Sequence, residues 1–329
     1  MVASVLVYVG IDAVGDGLMK LPFVRALRAA YPAARITWLA GKGQSVYGRS
    51  LAPLVRGLID VVIDEAGIGS RVVELFGPRP LGGRGFDLVI DTQRRGLTSL
   101  IVRRIRHRCF VSGTANFLFS DVRPADAAEK PASMVRQLLG LVEAASGRPA
   151  DSSAMLARDL AIEAEADRLL PPGPCYAGLA PGAGGRIKCW PFERYIALGR
   201  WLAETGRVPV VILGPDEHDW IGAVRDRLPQ AILPLQQAAS VSPMLTIALA
   251  RRLTAAVAND SGAGHLLAAG DTALISLFGP TRADKFAPVG RSVTALSASG
   301  WGRDAIEAIP LTAVQEALAT ALSCPRPGL

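Results

Sequence analysis

The chain has 329 residues, 50% of them hydrophobic and 20% charged, and carries a formal net charge of +7. A single core stops growing at roughly 250 to 300 residues, so two domains are expected. The apolar runs fall short of the ~20 residues that span a bilayer, and the N-terminus lacks a basic n-region and small-residue cleavage site, which excludes a membrane-spanning bundle and points to a cytoplasmic protein. Cys109, Cys175, Cys189 and Cys324 show neither CxxC nor metal-ligand spacing and read as free thiols with no redox or zinc role.

Residues 5–9 form a β-branched run closed by Gly10, with Gly15-Asp16-Gly17 and a helical pattern to Tyr31 after it. Pro22 predicts that this helix begins near Lys20 or is kinked. Strands are expected at 35–39, 58–63, 87–91 and 108–111, with helices at 96–106 and 133–145. The texture changes between 146 and 174, where GRPADSS, a charged helical piece at 162–170 and PPGP suit a connection between domains. The boundary is placed near Ser153, giving domains 1–153 and 154–329. The alternation then restarts: strand 176–179, helix 192–204 with Pro191 at its first turn, strand 209–213, and a helix through Leu228. A short strand at 231–233, a helix from Pro243 through Ala250 and a strand at 254–258 follow. Thr312 and Gln315 suggest a capping box for a last helix through Leu322, free to pack back on the first domain. Strands alternating with helices imply parallel sheets in two similar halves. The predicted fold class is α/β, with two Rossmann-like domains facing each other across a cleft.

Three stretches carry chemistry. VGIDAVGDG (residues 9–17) follows the first strand, but its spacing is not GxGxxG, and no acid between Asp16 and Asp60 could hold a ribose. Asp16 reads either as a helix N-cap or as a general base. PGAGGRIKCWP (181–191) offers Gly182, Ala183 and Gly184, where a backbone can approach a ligand, and Lys188 as a cation beside it. A solvated lysine and a loop tryptophan are the plain alternative. NDSGAGH places Asp260, Ser261, Gly262, Gly264 and His265 at a helix start, where amides and dipole favour an anion. The plain alternative is an Asp or Ser cap on a buried helix, with His265 packing. Gly279-Pro280-Thr281 ends the next strand and would line the same crevice.

Arg94, Arg95, Arg103, Arg104, Arg106 and Arg108 crowd one stretch, read either as a solvated helix face or as a surface for an anionic acceptor or membrane leaflet. No aromatic residue interleaves them, which argues against single-stranded nucleic acid.

The combination of VGDG, PGA followed by KxWP, and NDSGxGHLxAA leading to ISLFGPT resembles the heptosyltransferases of glycosyltransferase family 9, in order over nearly the whole chain. The resemblance implies the GT-B fold and transfer of heptose from ADP-heptose to the lipopolysaccharide inner core. It implies that Asp16 deprotonates the acceptor, that Lys188 neutralises the leaving diphosphate, and that residues 260–265 bind the donor. Gly15, Gly17, Arg94 and Arg95 are the expected acceptor side. Gly10 stands where many members carry a basic residue, and Asp12 is a second acid near the base position. With no DxD in the chain, no metal and no other cofactor is expected. The expected partners are a nucleotide-sugar donor and an anionic lipid-linked or glycan acceptor at the cytoplasmic face of the inner membrane, without nucleic acid. An epimerase or hydrolase on the same scaffold, or a non-catalytic nucleotide-sugar binder, are the alternatives.

Overall fold

The computed structural model describes residues 2–11, 14–124, 130–151 and 158–323. Asp12, Cys324 and the boundary expected at Ser153 lie outside the described residues. The chain divides into two compact units, Met1–Ala157 and Arg158–Leu329.

The first unit holds five parallel strands, β1 (Ser4–Val9), β2 (Arg35–Ala40), β3 (Val61–Ile63), β4 (Gly85–Asp91) and β5 (Arg106–Ser112), in the order β3-β2-β1-β4-β5. Residues 5–9 of β1 are buried, as expected of a strand covered on both faces of a parallel sheet. Helices α1 (Val14–Ala30), α2 (Gly96–Arg103) and α3 (Met134–Ser146) complete it. The Ser133 hydroxyl caps α3 by accepting from the Arg136 amide, and Gly147, at φ 67°, ends it in the left-handed conformation. Strand order reverses between β1 and β4, and ligands of such sheets bind beyond the strand carboxyl ends there.

The second unit opens with α4 (Leu160–Leu169) and continues through β6 (Tyr176–Ala180), α5 (Phe192–Glu204), β7 (Val208–Val211), α6 (Trp220–Arg227) and α7 (Pro243–Ala250). Then come β8 (Ala255–Asn259), α8 (Gly262–Ala269), β9 (Ala273–Phe278), α9 (Ala283–Phe286), β10 (Val293–Ser297) and α10 (Leu311–Ser323). Its strands are parallel, in the order β10-β9-β8-β6-β7, so the reversal falls between β6 and β8. Helix α10 sinks Val314 and Leu318 into this unit's own core.

Several expectations are corrected. Helix α1 starts at Val14 and keeps Pro22 buried inside it, which places Asp16 in the first turn and excludes it as the N-cap. Residues 231–233 form only a bridge from Ile232 to Val210. Thr312 lies within α10, so it does not begin a capping box. The arginine stretch is no helix face: α2 ends at Arg103 and β5 begins at Arg106. Arg103 binds Asp121 and the Phe119 carbonyl, and Arg104 donates to the carbonyls of Glu74 and Gly77. Charge is also divided unevenly. The first unit has 20 Lys and Arg against 13 Asp and Glu, the second 16 against 16.

Candidate active site

In the second unit the site is organised by a side chain that the sequence reading passed over. Asn259, fully buried at the end of β8, donates through Nδ2 to the Pro181 carbonyl at 2.7 Å. Its Oδ1 accepts from the Trp190 amide and the Tyr195 hydroxyl, both at 3.1 Å. One amide therefore pins both ends of the loop 181–190, the first residue through its carbonyl and the last through its N–H. Trp190 is also fully buried, with its indole N–H on the Ile309 carbonyl at 2.8 Å. The loop is thus held at its ends and open between them, where Gly182, Ala183, Gly184 and Lys188 lie.

Lys188, on a short 3-10 turn, reaches Asp260 Oδ2 at 2.9 Å, and the Thr281 hydroxyl donates to the same oxygen at 2.8 Å. Three loops, from the carboxyl ends of β6, β8 and β9, are thereby tied together around one carboxylate. Lys188 is not a free cation, but an ammonium has three donors and Asp260 uses one. Ser261, not Asp260, caps α8: its hydroxyl accepts from the Gly264 amide at 3.4 Å. The Lys188 charge and the amide-rich start of α8 therefore adjoin the same residue pair, Asp260-Ser261. His265 is buried in the first turn of α8. Gly279 is a packing glycine, since a Cβ there would stand 2.8 Å from that of Ile306. Pro280 follows it on the way to Thr281.

Glu217 is a further residue missed by sequence reading. Its carboxylate fills the space a side chain on Gly182 would need, and it accepts from the Gly214 amide at 2.8 Å. Burial holds its carboxyl above the usual range, and Asp216 and Asp219 add to the shift. Gly182 thus brings the open loop close to a carboxylate contributed from beyond β7.

In the first unit, Asp16 is exposed in the opening turn of α1, the end of a helix that favours negative charge. Gly15 shares that turn. Gly17 is there for packing: a Cβ would come within 2.6 Å of Val46, and its carbonyl accepts from the Tyr47 hydroxyl at 2.5 Å. Arg94 lines a cavity of about 180 Å³ with Asn116, Lys130, Arg136, Gln137 and Glu143. Arg136 and Glu143 pair fork to fork, while Gln137 keeps a buried Oε1 with no hydrogen-bond donor. Arg94 and Lys130 give that cavity a cationic lining, which suits an acidic group on a ligand. Arg95 is exposed at the start of α2 and does not line it. Below, Asp91 is fully buried at the end of β4, accepting from Ser99 at 2.5 Å, Ser112 at 3.0 Å and the Gln93 amide at 2.9 Å. Burial pushes its carboxyl up to about 6 despite these donors.

Among the described residues no three His, Cys, Asp or Glu side chains gather as a metal-binding group, and no helix is long and apolar enough to cross a membrane.

Comparison with known proteins places this architecture. The sequence profile of glycosyltransferase family 9 (heptosyltransferase) matches residues 78–306. Lipooligosaccharide heptosyltransferase 2 of Haemophilus influenzae is 31% identical over 121 residues, 36% of this chain and 35% of that protein. The match thus spans about a third of the relative's length. A family 9 glycosyl transferase from Veillonella parvula superposes with a TM-score of 0.70 at 17% identity, covering 97% of each chain. E. coli ADP-heptose heptosyltransferase II gives 0.65 at 22%, over 97% of this chain and 98% of that one. E. coli heptosyltransferase WaaC with ADP-2-deoxy-2-fluoro heptose gives 0.67 at 21%, over 96% and 99%. The two parallel sheets are those of the GT-B fold, and the chain belongs to glycosyltransferase family 9, the heptosyltransferase family.

Proposed function

We propose that this chain is an inverting glycosyltransferase that moves heptose, or a related sugar, from ADP-heptose to an acidic acceptor of the lipopolysaccharide inner core. The observation that carries the reading is the meeting of Lys188 with the start of α8 at Asp260-Ser261. As the bond from the anomeric carbon to the diphosphate breaks, negative charge builds on the leaving oxygen. The free donors of Lys188 and the α8 amides are placed to bind it. The acceptor hydroxyl forms its new bond on the opposite face of the sugar, inverting the centre, and Asp16 takes its proton. Asp260 and Thr281 are positioning residues that hold the ammonium. The cavity at Arg94 and Lys130 suits the acidic part of the acceptor. The positive charge comes from protein groups, so the reaction needs no metal and proceeds at full rate in chelator. Work at the cytoplasmic face of the inner membrane belongs to the same proposal.

Purified protein given ADP-heptose and inner-core acceptor is expected to release ADP only when both are present. Asp16→Ala is expected to lower turnover by about 10² to 10⁴ while leaving ADP binding intact. Full activity in that variant removes Asp16 from the base role. Consumption of donor without acceptor would instead identify a hydrolase or epimerase. Binding without turnover across donors and acceptors would identify a non-catalytic binder.

A further inference from the structure

The first unit exposes an apolar tip that neither the donor loops nor the Arg94 cavity uses. On one 3-10 turn, Val72–Leu75, and the residue after it, Val72 is 59% exposed, Val73 64% and Phe76 84%. The turn is built to present them. Leu75 and Leu81 pack inward on the core of Leu6, Val102, Ile105 and Phe110. Arg104 clamps the carbonyls of Glu74 and Gly77, one on each side of Phe76. On another turn, tied by Arg103 to the same end of α2, Leu118 is 64% exposed while Phe119 packs inward. Bulky apolar side chains grouped this way on an ordered surface mark an interaction site.

Charge says what kind. Arg71, Arg79 and Arg84 are exposed around the tip, and Arg106 is exposed at the start of β5, paired in register with Gly85. The acid within the turn, Glu74, is half-buried, and its carboxylate is engaged by the amides of Gly69, Ser70 and Arg71, leaving the arginines in excess around the tip. These bonds hold its carboxyl below the usual range despite burial. The tip therefore combines apolar side chains with a positive rim, in the unit that carries the whole excess of positive charge. Apolar groups that enter the headgroup boundary, ringed by arginines, are what an anionic bilayer binds.

We propose that Val72, Val73 and Phe76, with their rim of Arg71, Arg79 and Arg84, dock this chain on an anionic membrane surface. The proposal extends the transferase reading by naming the surface that meets a lipid-borne acceptor, and it is tested without donor or turnover, so either can fail alone.

The full chain is sedimented with vesicles of phosphatidylethanolamine and phosphatidylglycerol, and with phosphatidylcholine alone. Binding is expected to the anionic vesicles, weakening as salt is raised. Val72→Ser, Val73→Ser and Phe76→Ser together should cut it by at least about tenfold, and each of Arg71→Ala and Arg79→Ala by about fivefold. These side chains are exposed, so thermal stability should match the parent. Phe76→Trp should retain binding and shift its emission to the blue on adding anionic vesicles. The proposal is overturned if the parent ignores anionic vesicles, if the triple variant binds as well as the parent, or if the new tryptophan stays in a water-like environment. A dimeric parent made monomeric by the triple substitution would overturn it too, assigning the tip to a second copy.

Discussion

The two units share a parallel five-stranded sheet, yet they handle charge in opposite ways. The second is electrically balanced, 16 against 16, and ties its candidate site down: Lys188, Asp260 and Thr281 bind one another, and Asn259 anchors the loop beneath them. The first has an excess of seven positive charges, and its candidate acid Asp16 stands exposed on a helix end. The difference suits the two jobs proposed. A diphosphate cradle works through donors fixed before the charge develops, whereas an acidic acceptor is gathered by a field and bound by groups that adapt to it.

The sharpest way to break this contrast is to remove the anchor on the fixed side. Asn259→Ala leaves the Trp190 amide, the Pro181 carbonyl and part of the Tyr195 hydroxyl's bonding unsatisfied in a buried place. At about 1 to 3 kcal/mol for each orphaned group, a loss on the order of 3 to 5 kcal/mol is expected. Hydrogen exchange should show that loss across β6, β8 and loop 181–190 while the first unit keeps its protection. Uniform weakening of both units would show that they do not fold as separate bodies; no weakening would remove Asn259 as the anchor.

A second test, smaller in energy, falls on the first unit. Asp91 is buried among the hydroxyls of Ser99 and Ser112 and the Gln93 amide, and burial pushes its carboxyl up to about 6, above the ~3.9 of an unfolded aspartate. Because the folded value is raised, its contribution to stability is fully present below about pH 4 and is lost as pH rises to about 6, in all about 3 kcal/mol. Asp91→Asn keeps an acceptor for Ser99 or Ser112 and removes the titration. The stability of the parent relative to this variant should fall between pH 4 and 6 and stay level above. Parallel profiles would mean that Asp91 remains ionised, and that its hydroxyl donors offset burial.

Much of this was legible in the sequence, for local reasons. The β-branched runs, the Gly and Pro punctuation and the Ser-Gly-x-Gly turn all act within a few residues, and they located β1, β6, β8, α5 and α8 closely. What failed depends on partners far along the chain. Asn259 reads as ordinary turn chemistry until Pro181 and Trp190 are seen beside it. Gly17 reads only as one of the glycines after the first strand, but its constraint is the side chain of Val46, far along the chain. The arginine stretch looked like one surface, yet Arg103 and Arg104 are engaged by Asp121 and by carbonyls of two other turns. Asp260 and Ser261 were interchangeable as caps on paper. Geometry separates them: Ser261 accepts from the α8 amide, which leaves Asp260 free to hold Lys188.

That separation yields the smallest effect and the most specific one. Thr281 and Lys188 share one oxygen of Asp260. Thr281→Val keeps the shape and removes a donor, so the carboxylate turns its whole demand on the ammonium. Lys188 should then be less available to a diphosphate, and ADP affinity should fall by about three- to tenfold, the scale of one hydrogen bond to a charged group after partial compensation. Thr281→Ser restores the hydroxyl and should restore affinity, which a purely steric role would not predict. Calorimetric titration of ADP into the parent and both variants separates the cases. Equal losses in both would assign Thr281 to packing, and no loss in either would mean that Lys188 reaches the nucleotide independently of how Asp260 is held.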